Sequence, residues 1–512
     1  MKRILAMVAV ILASSSLVTF ARSAPLLLQS PTMSETQIVF TYADDLWTVD
    51  RAGGEAHQLA SGLGRESSPV FSPDGKWVAF SADVNDNVDV YVIPAEGGQA
   101  TRLTYHPGQD VAVGWTPDGN NVLLRSHRDS PNDPDQLFTI PRAGGMPVAL
   151  PLPMAEAGSF SPDGSEIAYS PVFQWEPDWK KYRGGQTTPI WIAKLSDSSV
   201  TKIPRDNSND RDPMWVGNKV YFVSDREGAA TLFGFDTQTG RVSKLLPNDG
   251  FDIDSASAGP GGIVYSQMGA IHVFDLGNGT EHQVPIEIHA DLPYLRPHFE
   301  NVADQIEDAG ISPTGARAVF EAHGDILTVP RKKGDARNLT QSPGVADRSP
   351  AWSPDGQSIA YFSDRSGEYA LYIEAQNGLT QGREIRLGQR PSFFYSPAWS
   401  PDGKKILYSD KRLNLWYVSL DHPTPVKVDT DLYDTPLHEF DAVWSPDSDW
   451  IAYTKQLRNH QRAVFVYSIT SGKSTQVTDG LSDCLYPVFD KSGKYLFFTA
   501  STDLGLSAGW LD

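Results

Sequence analysis

The chain of 512 residues contains one cysteine, Cys484, so no disulfide can form within a single copy. Its fold must depend on core packing, and we expect the lone thiol to be a buried structural residue. Basic residues are also scarce, because 43 Lys and Arg stand against 63 Asp and Glu, a net charge of −20. This balance argues against nucleic acid or an anionic membrane as a main partner, since both require a cationic surface.

Complete catalytic and metal-binding motifs are missing as well. Ser507 lies in a G-x-S-x-G pattern, but that motif requires a following helix and a later Asp and His, and the pattern is followed by three residues. The pair 438–439 (His-Glu) lacks the second histidine of a zinc motif. We therefore predict no catalytic residue, no metal site and no cofactor, and we expect this chain by itself to hydrolyse no peptide bond.

Only one long apolar run is present, from Ile4 to Phe20, and it follows Lys2 and Arg3. Small residues at 21–24 complete the pattern of a cleaved signal peptide, residues 1–24. The sequence thus predicts export to a periplasmic or extracellular space, with no membrane attachment after cleavage. An uncleaved anchor is the alternative, although the run is short for crossing a bilayer.

What the chain has in abundance is one turn. In the stretch 348–364, the turn SPDG at 353–356 combines a proline that fixes φ, an aspartate that can bond its own backbone and a closing glycine. In the strand that follows, Ile359 and Tyr361 point to one face, and 360 and 362 (Ala and Phe) point to the other. Both faces are apolar, so both should be covered.

Related turns recur along the chain at 72–75, 116–119, 161–164, 312–315, 353–356, 400–403, 445–448 and 491–493. Where neighbouring copies are clear, their spacing is 41 to 47 residues. Four strands in each such period are typical of a β-propeller blade, whose sheet is packed between two neighbours.

The module count predicts an all-β chain with two consecutive β-propellers. Six modules form a six-bladed propeller over 33–290, in which 215–225 and 259–267 replace the usual turn in modules five and six. The first module lacks its own turn, so it should borrow or forgo an innermost strand. Residues 291–310 are predicted as a linker. Five further modules over 311–512 predict a second, truncated propeller.

Six side chains are predicted to be buried between blades of the first propeller: Phe80, Val90, Trp115, Tyr169, Phe222 and Tyr265. Two insertions interrupt the repeat, a polar loop at 125–136 and an aromatic, basic excursion at 170–193. Long loops on a rigid scaffold often carry binding sites, while solvated charges and a packed lid are the alternative.

The repeated modules, the junction 292–340, the following 348–373 and the segment 179–193 resemble the amino-terminal half of the tricorn protease family. In that family, a six-bladed and a seven-bladed propeller precede a serine peptidase region with a PDZ-like domain. The catalytic Ser and His lie in that later region, so the resemblance assigns no catalytic residue here and leaves open whether this chain is an enzyme. It implies that the propellers guide or gate oligopeptides, that the protein forms a homo-oligomer, and that a cytoplasmic location is the alternative to export.

The resemblance also suggests that basic residues anchor peptide ends, without fixing their positions. Arg125 and Arg128, three residues apart in one inserted loop, are our candidates for binding a peptide carboxylate, with His127 assisting. The alternative is that the two arginines are only solvated and bind no peptide.

Two other functions stay open at this point. The first is an exported TolB-like propeller scaffold for protein–protein interaction without enzyme activity, although that family has one six-bladed ring behind a small mixed domain. The second is the propeller of a prolyl-oligopeptidase-like enzyme, against which the second ring argues.

Overall fold

The computed structural model describes residues 26–502, apart from 63, 130–133, 174–181, 249, 291–300, 343, 380–381, 389–391 and 434–439. Throughout this described part, the regular secondary structure is β-strand, which confirms the predicted all-β class. No helix in it is long and apolar enough to cross a membrane. The predicted signal peptide and Ser507 lie outside the described residues.

The described residues up to Ile288 form six sheets. The first contains β1 (Gln29–Met33), β2 (Gln37–Tyr42), β3 (Asp45–Asp50), β4 (Gly54–Ala60) and, from later in the chain, β25 (Ile286–Ile288). The second contains β5 (Arg65–Phe71), β6 (Trp77–Val84), β7 (Asn87–Pro94) and β8 (Thr101–Arg102). The third contains β9 (Asp110–Trp115), β10 (Asn121–Ser126), β11 (Gln136–Pro141) and β12 (Val148–Ala149).

The fourth sheet contains β13 (Ala157–Phe160), β14 (Glu166–Ser170), β15 (Trp191–Lys194) and β16 (Val200–Lys202). The fifth contains β17 (Asp210–Val216), β18 (Lys219–Ser224), β19 (Thr231–Asp236) and β20 (Arg241–Lys244). The sixth contains β21 (Ser255–Gly259), β22 (Gly262–Gln267), β23 (Ala270–Asp275) and β24 (Glu281–Gln283).

Five more sheets follow in the described residues from Ile306 onward. The seventh contains β26 (Ile306–Ile311), β27 (Arg317–Ala322), β28 (Asp325–Pro330) and β29 (Arg337–Asn338). The eighth contains β30 (Asp347–Trp352), β31 (Ser358–Ser363), β32 (Ala370–Ala375) and β33 (Arg383–Ile385). The ninth contains β34 (Phe394–Trp399), β35 (Lys405–Asp410), β36 (Asn414–Ser419) and β37 (Pro425–Thr430).

The tenth sheet contains β38 (Val443–Trp444), β39 (Trp450–Gln456), β40 (Arg462–Ser468) and β41 (Lys473–Gln476). The eleventh contains β42 (Cys484–Phe489) and β43 (Leu496–Ala500). In every sheet, strands that follow one another along the chain are antiparallel neighbours, and the parallel pairing of β25 with β4 is the exception among the described strands. Such meanders are the sheets of propeller blades.

The repeated turn is built the same way in successive sheets. In the copy at 72–75, the Ser72 hydroxyl donates to Asp74 Oδ1 at 2.6 Å, and the amide of Lys76 donates to the same oxygen at 3.1 Å. These hydrogen bonds hold the pKa of Asp74 below its usual range. Gly75 closes the turn at φ 69°, a conformation that glycine adopts without strain. The aspartates therefore have a structural role that needs no bound calcium.

The doubly apolar strand is covered on both faces, as predicted. Ile359 and Tyr361 pack in a cluster with side chains of the seventh sheet, and 360 and 362 pack in a cluster with those of the ninth. The six side chains predicted to be buried between blades are also buried in clusters that join adjacent sheets: Phe80, Val90, Trp115, Tyr169, Phe222 and Tyr265. Burial of each large side chain is worth about 1.5–3 kcal/mol.

The prediction that the first module would borrow or forgo its innermost strand is wrong. Strand β1 supplies it from the preceding residues, and the short link 34–36 replaces the SPDG turn, with Ser34 Oγ accepting from the amide of Gln37 at 3.0 Å. The strand's sequence, QSPTM, contains a proline and no apolar alternation, so the pattern did not reveal it. Strand β1 contacts β5 on one side and β21 on the other, and Phe40 packs with Val264 of the sixth sheet.

Part of the predicted linker is also a strand. Residues 306–310 belong to β26, the inner strand of the seventh sheet, and pair with β27. Five of the six residues of β26 are exposed, so its sequence shows charged residues where other inner strands show apolar ones. This exposure explains why sequence pattern alone assigned the segment to a linker.

Candidate binding pocket and the predicted arginine site

The three residues predicted to bind a carboxylate already contact carboxylates of the protein. Arg125 lies at the end of β10, with Nη1 2.6 Å from Glu156 Oε2 and 3.7 Å from Asp135 Oδ2. His127 Nδ1 is 3.5 Å from Asp135 Oδ1. Burial raises the pKa of Glu156, while the Arg125 guanidinium opposes that rise. The structure thus brings Arg125 and His127 together around Asp135.

Arg128 points to a different carboxylate. Its Nη2 lies 2.6 Å from Asp110 Oδ2, its Nε donates to Ser126 Oγ at 3.2 Å, and its guanidinium lies 5.3 Å from the ring centre of Phe138. Asp110 is fully buried, and 13% of the Arg128 side chain is exposed. Arg128 therefore ties the start of an inner strand to the end of its neighbour.

The same arrangement recurs in two other sheets, and we name it the Asp–Ser–Arg clamp. In the fifth sheet, Arg226 contacts Asp210 at 2.9 Å and Ser224 Oγ at 2.9 Å. In the eighth sheet, Arg365 contacts Asp347 at 3.2 Å and Ser363 Oγ at 3.1 Å. Sequence reasoning missed this element, although a visible signal exists: a serine that ends the second strand is followed two residues later by arginine.

Six of the described inner strands share a second feature that sequence reasoning missed. A β-bulge interrupts their pairing, and its residue has positive φ directly before a proline: Ser30, Ser68, Asp212, Ser349, Ser396 and Tyr486. A non-glycine residue in this conformation costs of order 1–3 kcal/mol, and such strain persists where the surrounding fold enforces it. Bulges redirect side chains and backbone groups, often beside functional sites.

In the second half of the chain, three of these bulges line one pocket of about 1240 Å³. It runs along the inner strands of the seventh to the eleventh sheet, and the bulge residues on its wall are Ser349, Ser396 and Tyr486. Apolar and aromatic lining comes from Phe393, Tyr395, Leu407, Leu413, Leu415, Phe440 and Val488. A pocket of this size exceeds the range of about 300–1,000 Å³ typical of small-ligand sites.

The charges of the pocket lining are predominantly acidic. Five carboxylate side chains, Glu307, Asp308, Glu321, Asp410 and Asp441, face two cations, Arg348 and Lys411. Glu321 Oε2 accepts from the amide of the bulge residue Ser349 at 2.6 Å, and its Oε1 is 3.7 Å from Arg348 Nε. Burial raises the pKa of Glu321 above its usual range, while the Ser349 amide and Arg348 counteract that rise.

One hydroxyl on this wall has no hydrogen-bond partner among the described residues. Tyr408 lines the pocket and is 1% exposed, and its hydroxyl makes no hydrogen bond within the described part of the chain. Burial raises the pKa of Tyr408, so the hydroxyl keeps its proton and can donate it in a hydrogen bond. A buried polar group without a partner costs about 1–3 kcal/mol, so this hydroxyl marks a position where a ligand or water can compensate.

The remaining candidates for chemistry do not form a reactive site in the residues described. Cys484 is buried at the start of β42, as predicted for a structural thiol. No group of three or more His, Cys, Asp or Glu side chains suited to hold a metal ion occurs among residues with a described placement.

Comparisons with known proteins match both halves of the chain. Residues 25–280 match the family model of the tricorn protease N-terminal beta propeller domain, and residues 306–504 match that of the tricorn protease second beta propeller domain. Tricorn protease homolog 1 of Streptomyces coelicolor is 26% identical over 492 residues, which are 94% of this chain and 45% of the relative. The tricorn protease homolog of Saccharolobus solfataricus is 27% identical over 91% of this chain and 42% of the relative.

A crystal structure of the tricorn protease has 22% identity to this chain and a TM-score of 0.48, covering 93% of this chain and 47% of that one. The chain spans less than half the length of the two curated tricorn relatives named above. The two family models together cover most of its residues, in the order in which the two propellers were predicted. The chain belongs to the tricorn protease family and contains the two β-propeller domains of that family's amino-terminal part.

Proposed function

We propose that this chain is the non-catalytic propeller part of a tricorn-like serine peptidase, and that it guides or gates oligopeptides towards a catalytic region outside these 512 residues. The observation that carries the proposal is the pocket of about 1240 Å³ along the inner strands of the second propeller, with its unpartnered Tyr408 hydroxyl. The tricorn protease names of its relatives support the assignment to peptides.

The lining of the pocket suits an extended peptide. Glu307 and Asp308 are exposed and attract the ammonium group of a peptide amino terminus. Phe393 and Tyr395 offer aromatic surface to side chains, and the Tyr408 hydroxyl can donate to a peptide carbonyl. None of these contacts requires one particular amino-acid sequence in the bound peptide. A protein that guides varied peptides needs this tolerance.

The proposal includes the architecture in which the pocket sits. On the packing of the sixth sheet against the first, we propose that the six-bladed propeller expected over 33–290 is closed and includes β1 from Gln29. We propose that the linker expected at 291–310 ends before β26, and that the second propeller, expected over 311–512, begins with that strand at Ile306 and contains five modules of an expected seven. We also propose export by the signal peptide 1–24 and assembly into a homo-oligomer.

The carboxylate site at Arg125, His127 and Arg128 stays a proposal of its own. The observation that favours it is the exposed third of the Arg125 side chain, 35%, beside a His127 that is 38% exposed. In the full-length enzyme, Arg125→Ala with Arg128→Ala should weaken cleavage of free-acid peptides more than of their carboxy-terminal amides. Equal losses on both substrates would exclude a carboxylate anchor.

The test of peptide guiding uses binding by the purified protein. Fluorescent peptides of four to ten residues are titrated by anisotropy against the parent protein and Tyr408→Phe, which removes only the unpartnered hydroxyl. We expect affinity to fall about five- to tenfold, the loss of one hydrogen bond to the ligand, with an unchanged or higher Tm. If Tyr408→Phe changes the Tm but binds the peptides as tightly as the parent protein does, the hydroxyl takes no part in binding.

A second pair of variants tests the acidic rim. Glu307→Gln with Asp308→Asn should weaken peptides with a free amino terminus more than their N-acetyl forms, since only the former carry the ammonium charge. The matched control, Glu35→Gln with Asp421→Asn, makes the same charge change at exposed positions outside the pocket lining. Absence of peptide binding by the parent protein would overturn the guiding function and favour a propeller scaffold for protein–protein interaction.

A further inference from the structure

Among the described residues, a group that we name the inter-propeller latch joins the two propellers: Gly250, Phe251 and Asp252 of the first and Phe393, Lys411 and Arg412 of the second. Arg412 Nη2 donates to the carbonyl oxygen of Gly250 at 3.0 Å. Lys411 Nζ lies 3.7 Å from Asp252 Oδ2. The rings of Phe251 and Phe393 meet edge to face, with 5.2 Å between their centres.

The latch is partly removed from water and combines several kinds of contact. Lys411 and Asp252 have 15% and 18% of their side chains exposed. The Lys411 ammonium lies 5.0 Å from the ring centre of Phe251 and 5.3 Å from that of Phe393, within the range of cation–π attraction. An ion pair enclosed by two aromatic rings is screened by salt much less than an exposed pair.

Arg412 belongs to the ninth sheet, in which the Asp–Ser–Arg clamp is altered. Aligned on the strand pairs 352–359 and 399–406, Arg412 takes the position of Arg365, but Phe394 stands where the eighth sheet has Asp347. Asp410 replaces the clamp's serine, and its carboxylate accepts from Trp416 Nε1 at 2.9 Å. Without the buried aspartate of the inner strand, the arginine side chain extends to the first propeller.

The latch also lies at the edge of the pocket. Phe393 and Lys411 contact the first propeller and line the pocket of about 1240 Å³ in the second. We infer that the inter-propeller latch holds the two propellers in one relative orientation and thereby fixes the pocket wall at Phe393 and Lys411. Relative motion is the default for domains joined by a linker. In this protein the restraint that opposes such motion is the combination of an enclosed ion pair, a hydrogen bond to a backbone carbonyl and an aromatic contact.

The test measures the distance between the propellers in the whole protein. Spin labels on Ser199→Cys and Leu379→Cys report the distance distribution by double electron–electron resonance, since both positions are exposed and Cys484 is buried. We expect a narrow distribution in the labelled parent. Lys411→Ala with Arg412→Ala should about double its width, because interdomain motion is the default without an interface.

Two further variants test whether broadening of the distance distribution is specific to the latch. The matched control, Lys404→Ala with Arg386→Ala, removes the same charges at exposed positions of the same propeller and should keep the narrow distribution. Asp252→Asn removes only the charge and can retain the bond from Ala230 to Oδ1, so it should fold and still broaden the distribution. A parent-like distribution in folded Asp252→Asn and in the double alanine variant would overturn the latch.

Discussion

The carboxyl group of Asp431 is buried, and burial disfavours its ionised form. This residue follows β37, is 1% exposed, and accepts backbone hydrogen bonds from Leu432 at 2.7 Å and Gln456 at 3.1 Å. Burial raises its pKa to about 6, against the opposing effect of those two amides. Such a shift means that the folded protein binds this proton more tightly than the unfolded chain does.

The first prediction concerns Asp431→Asn, which keeps an oxygen for the amides and cannot ionise. The stabilising contribution of the protonated carboxyl is complete below the unfolded pKa near 3.8 and is lost as pH rises through about 6. A shift of about two pKa units corresponds to about 3 kcal/mol. The Tm of the wild type should therefore fall relative to that of the variant between pH 4 and pH 8. Parallel Tm curves over that range would contradict the assignment.

The repeated turn and the clamp differ in how well they could be predicted from the sequence. The serine, proline, aspartate and glycine of the repeated turn are consecutive, so their conformational preferences predicted each hairpin directly. The clamp joins Asp347 to Ser363 and Arg365, and its partners come together only when two strands pair. The spacing of these three residues can be read from the sequence. Whether they contact one another depends on the register in which the two strands pair.

At the scale of elements, the clamp is expected to contribute strongly to the packing of a sheet. Asp347 is fully buried, Arg365 Nη2 also donates to the Tyr361 hydroxyl at 2.9 Å, and that hydroxyl donates to Glu374 at 2.6 Å. Removing one partner of a buried pair leaves the other charge without compensation. The network therefore links three strands of the eighth sheet through groups that depend on one another.

The second prediction is that Arg365→Ala destabilises the protein by about 3–5 kcal/mol, as measured by urea unfolding of the second propeller. The comparison is Arg386→Ala, which breaks an ion pair with Glu384 whose arginine is 80% exposed. Exposed pairs contribute about 0–1 kcal/mol. Similar losses for the two variants would show that the clamp adds little beyond an ordinary surface pair.

Elements with a strong apolar pattern were predictable, and elements without one were not. The strand 358–363 has apolar residues on both faces, and packing between two sheets follows from that composition. Strand β1 contains a proline, and β26 is mostly exposed, so neither shows the alternation that identifies a strand. The bulges were missed for a related reason, because positive φ before a proline opposes local preference and is imposed by the surrounding sheet.

At the scale of the whole molecule, the two propellers differ in how well their apolar surface is covered. In the first, Phe40 and Trp47 of the first sheet share a buried cluster with Val264 and Ile271 of the sixth. In the second, the eleventh sheet leaves large apolar side chains exposed: Tyr486, Val488, Tyr495, Phe497 and Phe498. Ile306 and Ile311 of the seventh sheet are exposed as well. Exposed apolar patches of this kind promote association.

The last prediction tests that patch in the protein of 512 residues. Tyr495 and Phe497 are 66% and 59% exposed, the latter on β43, so Tyr495→Lys with Phe497→Lys should remove apolar surface without opening a cavity. We expect less association at high concentration, measured by light scattering after gel filtration, and a stability change within about 0.5 kcal/mol, as for surface substitutions in general. The control, Met146→Lys with Leu379→Lys, adds the same charge at apolar side chains outside the eleventh sheet that are both 82% exposed. The net charge changes equally in both pairs. An equal loss of association in both variants would therefore attribute the effect to charge. A loss confined to the variant at 495 and 497 would assign the association to the uncovered eleventh sheet.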